Sequence, residues 1–181
     1  MRSISAMCAL IVGAAVCLFV PQSVVADDGY WSGSISGVGP GYSAQYIHQD
    51  AEPYKGFINL TVTNSGSDPW GDFHFEIFDP TGGQNIANVD FLDSTTTPPG
   101  PDPTSSQSPL SWVIDNVSVG ATIDLFFYSD PVLPGQTATF SVYTNNPDQL
   151  SFFGVAFWPT PIPEPAALAL LIVGMLVRRR W

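Results

Sequence analysis

Between residues 27 and 158 apolar side chains recur at every second position and nowhere sustain the period of a helix, which commits this stretch to β-structure. Ile58, Leu60 and Val62 alternate with Asn59, Thr61 and Thr63, and Phe73, Phe75 and Ile77 alternate with Asp72, His74 and Glu76. The same rule holds for Ile123, Leu125 and Phe127, for Ala138, Phe140 and Val142, and for Phe153, Val155 and Phe157. Successive strand side chains point to opposite faces, so each set predicts a strand with one buried face. Weaker strand patterns cover residues 30–35, 42–48, 86–91 and 110–116. Turn-forming clusters separate the runs, among them Asn64-Ser65-Gly66-Ser67-Asp68-Pro69, Pro80-Thr81-Gly82-Gly83, Pro134-Gly135-Gln136 and Asn145-Asn146-Pro147-Asp148. About nine short strands punctuated in this way predict an all-β fold, an antiparallel β-sandwich. Residues 94–109, rich in Ser, Thr and Pro, are expected to form a mobile loop joining two sheet regions or two halves of the domain.

Charge limits what such a domain can touch. All 16 acidic residues lie between Asp27 and Glu164, where Lys55 is the single basic residue. That surface repels nucleic acid and anionic lipid. The 21 aromatic residues between Asp27 and Pro165 argue for a packed core rather than a disordered acidic chain. The charge is read as serving solubility, with cation binding as the alternative.

The two ends have a different character. Arg2 precedes a 15-residue apolar run over residues 6–20, then Pro21 and a Val24-x-Ala26 site. This is the pattern of a secretory signal peptide over residues 1–26, cut by signal peptidase between Ala26 and Asp27. The run is short of the ~20 apolar residues that a spanning helix needs. Cys8 and Cys17 lie within it and leave with it, so the mature chain is expected to fold without disulfides.

Residues 159–181 form a tail: Pro-Thr-Pro-Ile-Pro-Glu-Pro, a 12-residue apolar run over residues 166–177, then Arg178, Arg179, Arg180 and Trp181. Prolines favour an extended backbone, and the Ala- and Leu-rich run favours a membrane helix. The arginines form a basic anchor that stays cytoplasmic, which puts Pro163, Glu164 and Pro165 outside. Twelve helical residues span about 18 Å against a hydrocarbon core of roughly 30 Å, so the anchoring is marginal.

Pro163-Glu164-Pro165 followed at once by Ala166, the short helix and the terminal arginines resembles the PEP-CTERM sorting domain of Gram-negative, exopolysaccharide-producing bacteria. The resemblance covers about the last 20 residues. It implies an exosortase as partner, transient retention in the inner membrane through residues 166–177, cleavage near the Pro-Glu-Pro triplet, and a final place at the cell surface or outside the cell. In the domain over residues 27–158, Val62-Thr63-Asn64-Ser65-Gly66 and Leu133-Pro134-Gly135-Gln136-Thr137 are similar to paired elements of bacterial immunoglobulin-like surface modules. That likeness bears on fold rather than on activity.

Motifs for chemistry are few. Gly33-Ser34-Ile35-Ser36-Gly37 has isoleucine where a serine hydrolase elbow needs its nucleophile. There are two histidines, His48 and His74, no His-Glu-x-x-His run and no phosphate loop. Asp72, His74 and Glu76 share one strand face at roughly 7 Å spacing, wide for gripping one ion, and are read as a solvated face opposite Phe73, Phe75 and Ile77. Asp79 and Asn85 flank a glycine-rich turn that lacks the alternating acids of a calcium loop. Trp70, Phe78, Tyr128 and Trp158 are candidates for stacking on sugar rings. No catalytic, metal or cofactor residue is assigned. The expectation is a non-enzymatic extracellular protein associated with exopolysaccharide or biofilm matrix; the alternatives are a secreted hydrolase with two carboxylates or a carbohydrate-binding adhesin.

Overall fold

The structure is a computed structural model and describes residues 27–162. These residues form ten strands: β1 (Gly29–Ile35), β2 (Ala44–Gln49), β3 (Lys55–Asn64), β4 (Trp70–Phe78), β5 (Asp90–Leu92), β6 (Thr104–Ser105), β7 (Ser111–Asp115), β8 (Thr122–Phe126), β9 (Thr137–Asn145) and β10 (Phe152–Pro161). A single 3-10 turn, Pro40–Tyr42, follows β1. Among the described residues no helix is long and apolar enough to cross a membrane. The tail helix expected over residues 166–177 and the signal peptide lie outside the described residues.

The strands divide into two sheets. One runs β1-β3-β9-β5, with β6 also along β9, and the other runs β2-β10-β4-β8-β7. The apolar members of each alternating set face inward: Ile58, Leu60, Phe73, Phe75, Phe140, Val155 and Phe157 are all buried. The sheets meet through aromatic contacts, closest where Phe73 of β4 stacks on Phe140 of β9, with ring centroids 4.3 Å apart. Trp70 also belongs to this core at 1% exposure, so it offers no sugar platform.

Four expectations need correction. The sheets are not purely antiparallel, because β1 pairs with β3 in parallel, from Gly29 opposite Ile58 to Ile35 opposite Asn64. The chain crosses to the other sheet as β2 between them and returns in the direction it left, which no hairpin could do. Residues 86–91 do not form a strand over their length. Val89 N–H donates to Ile86 O, so a turn delivers both buried side chains to the core, and only residues 90–92 pair.

Residues 94–109 do join one sheet to the other, but they are hydrogen-bonded rather than free. Asp93 Oδ1 accepts from the backbone N–H groups of Thr95 and Thr96 at 2.8 and 2.9 Å, and its Oδ2 accepts from Trp112 Nε1 at 2.9 Å. β6 then adds to β9. Finally, the folded domain extends past residue 158. Pro159, Thr160 and Pro161 lie in β10 along β4. The prolines are tolerated because β2 pairs only with residues 152–157, leaving that end of β10 without a paired strand on one side, where Gly39 N–H donates to Pro159 O at 2.8 Å.

Candidate functional site

Two groups of titratable side chains assemble at different places on the fold. The first is on the outer face of the second sheet. Antiparallel pairing sets His74 of β4 opposite both Asp124 of β8 and Trp158 of β10. His74 Nδ1 is 2.6 Å from Asp124 Oδ1, and its Nε2 is 3.4 Å from Asp72 Oδ1. Its ring stacks on Trp158, with centroids 5.5 Å apart and planes 18° from parallel. Asp72 is buried. It accepts hydrogen bonds from Tyr128 Oη at 3.0 Å, from Thr160 N–H at 3.0 Å, and from the Thr160 hydroxyl.

This environment sets the charges. Burial disfavours the imidazolium of His74, but Asp124, which takes its hydrogen bond, and Asp72 outweigh that and raise its pKa to about 9. Burial likewise works against the Asp72 carboxylate, yet His74 and then the hydrogen bonds of Thr160 and Tyr128 hold it below the ordinary range. The group is therefore a cation clamped between two anions over an indole face at neutral pH. It ties three strands together, with Nδ1 hydrogen-bonded to Asp124 and Nε2 beside Asp72 at ion-pair distance without a hydrogen bond of its own.

The expected solvated face is thus only partly found. Asp72, His74 and Glu76 do lie opposite the core phenylalanines, but Asp72 is buried and Asp124, not Glu76, completes the set. Asp79 also serves locally: its carboxylate accepts from Thr81 and Gln84 N–H groups at 2.8 and 2.7 Å and closes the turn after β4. Of the four candidate stacking residues, Tyr128 is half exposed, while Phe78 and Trp158 are partly covered.

The second group forms where the edge strands of the two sheets meet. Asp27 precedes β1, His48 is the penultimate residue of β2, and Asp50 follows it. Their ligand-type atoms all lie within 4.8 Å of one another. His48 points inward, opposite Phe153 of β10, and packs edge-on against that ring at 5.1 Å. Its Nε2 is 3.6 Å from Asp50 Oδ1, and its Nδ1 has no hydrogen-bond partner. Asp50 Oδ2 accepts from Asn146 Nδ2 at 2.6 Å. Gly29 is needed here because a side chain on it would run into Tyr46 and His48 Nδ1. Asn146 also helps line an adjoining cleft of about 350 Å³, where Tyr54, Lys55, Asp90 and Gln149 gather. Burial pushes the Asp90 carboxyl up, and Asp90 is the one carboxylate in that lining.

Sequence reasoning treated Asp27 only as a cleavage boundary, His48 as an isolated histidine, and Asp50 not at all. The available signal was Tyr46-x-His48-x-Asp50, a strand face continuing from aromatic to ligand-type residues. Asp27 reaches the group by tertiary placement alone. The cleavage residue Ala26, the sorting triplet Pro163, Glu164 and Pro165, and Arg178, Arg179 and Arg180 lie outside the described residues. Comparison with protein families, with curated proteins and with solved structures finds no match to this chain.

Proposed function

We propose that this chain is an exported bacterial surface protein, a non-enzymatic β-sandwich delivered by its two ends to the cell surface or to the exopolysaccharide matrix. Signal peptidase removes residues 1–26. Residues 166–177 hold the chain at the inner membrane, and an exosortase acts near Pro163-Glu164-Pro165. The observation that carries this reading is that residues 27–162 bury a contiguous aromatic core between Ile35 and Phe157 with no cysteine in it. A domain so built needs no oxidising machinery after export.

The acids of the domain favour a scaffold over a two-carboxylate hydrolase. Asp72, Asp79 and Asp93 are occupied by hydrogen bonds that fasten strands and turns, and the cleft beside Tyr54 is lined by a single carboxylate. The immunoglobulin-like reading is also a proposal. It rests on the meeting of the two resembling elements, where Asn64 N–H donates to Gln136 O at 2.9 Å and Gly135 N–H to Asn64 O at 2.7 Å.

Fractionation of a host that carries an exosortase tests the sorting. Glu164→Ala is expected to keep the protein in the membrane fraction while its melting curve stays that of the parent. Release of the variant at the parent rate would show that the triplet is not what the enzyme reads.

A further inference from the structure

We propose that Asp27, His48 and Asp50 form a site for one divalent transition-metal ion of zinc type, at the rim where β1 and β2 come together. The geometric basis is that all three donor atoms lie within 4.8 Å of one another. The sharper observation concerns His48. The residue is 2% exposed, its Nδ1 has no hydrogen-bond partner, and its Nε2 stands 3.6 Å from Asp50 Oδ1. That separation is too long for an N–H···O bond. Nδ1 lies against Gly29, so the nitrogen turned towards the carboxylates is Nε2, and it makes no hydrogen bond to Asp50.

The same separation suits two ligands of one ion. Imidazole nitrogen and carboxylate oxygen sit about 2.0–2.2 Å from zinc, which puts tetrahedral neighbours roughly 3.3–3.5 Å apart. That pair needs little closure, and Asp27, whose ligand atom lies within 4.8 Å of both, moves in to complete the set. The surroundings are those of a ligating carboxylate: Asn146 Nδ2 holds Asp50 Oδ2, leaving Oδ1 towards His48, and Asn146 is itself fixed by Leu150 N–H at 3.1 Å. On the other side, Asp27 N–H donates to Lys55 O at 3.2 Å, and Gly56 leaves room for the Asp27 backbone to lie against β3.

Charge and donor type define the ion. Two carboxylates approach one another, and among the described residues no lysine or arginine pairs with either. A divalent cation neutralises both. An imidazole donor favours zinc and its neighbours over calcium or magnesium, which take oxygen sets. Asp27 is also the first residue of the mature chain expected from the Val24-x-Ala26 site, so a cut one residue later would delete a ligand.

The test titrates zinc chloride, against a chromophoric chelator, into the full chain purified in mild detergent, with Cys8→Ser and Cys17→Ser removing competing thiols. One equivalent is expected, with an X-ray absorption shell of nitrogen and oxygen that contains a single imidazole. His48→Gln and Asp27→Asn should each weaken binding by about tenfold or more, whereas His74→Gln, whose site is filled by Asp124 and Asp72, should not. Melting in EDTA checks that each variant folds. If His48→Gln does not fold, Asp27→Asn at the rim decides alone. Absence of binding, several weak equivalents insensitive to both changes, equal loss with His74→Gln, or calcium bound as tightly as zinc would overturn the proposal.

Discussion

His74 makes the stability of this domain depend on pH above neutrality. Its folded pKa of about 9 lies above its ordinary value of 6.5. The contribution is therefore complete below pH 6.5 and fades as the pH rises through 9, where the folded state gives up the proton. Urea midpoints should fall between those limits in the parent, and His74→Gln should flatten that limb of the profile. Asp72 acts with the opposite sign: its lowered pKa gives stability above the unfolded value that is lost as the pH falls through the folded one. The two neighbours Asp72 and Glu76 then separate in a denaturant series. Asp72→Ser leaves Thr160 and Tyr128 donors without their charged acceptor and should cost about 1.5–3 kcal/mol. Glu76→Thr should stay within ~0.5 kcal/mol. Equal effects at the two positions would contradict the role assigned to Asp72.

At the level of strands, which face of each is buried was legible and which strand lies beside it was not. Alternation of period two reports the face directly: Phe73, Phe75 and Ile77 are buried as their spacing required. Phe75→Ala should accordingly cost ~3–5 kcal/mol, read from the shift in urea midpoint at constant slope. The same alternation carries no information about pairing partners. The parallel partnership of β1 with β3 and the delivery of Asp124 to His74 were therefore hidden, although Asp124 sits visibly opposite Ile123 and Leu125 in its own strand. Composition also misled at two points. Prolines suggested a free tail from residue 159, but Thr160 between them spends its N–H on Asp72 rather than on the ladder, and β10 continues. Serine, threonine and proline over residues 94–109 suggested mobility, yet these are the residues whose small hydroxyls and turns the Asp93 carboxylate organises. The rim group was the least legible, since it joins residues 21 and 23 positions apart through the meeting of two sheets.

For the whole molecule, the proposed export route joins the fold to the two ends. The core of the described residues is thiol-free, the charge of those residues is almost entirely acidic, and their stability comes from aromatic packing between two sheets, so folding requires no disulfide formation. Of the five basic residues only Lys55 lies within residues 27–162, and the proposed route uses the others for orientation. In the proposed route the folded domain is the cargo and the two ends are its address. The intact mass of the native extracellular protein, taken from a host that carries an exosortase, tests this most directly. The expected species begins at Asp27 and has lost residues 166–181. A mass that still includes Arg178, Arg179, Arg180 and Trp181 would contradict it and reduce the tail to an unprocessed anchor.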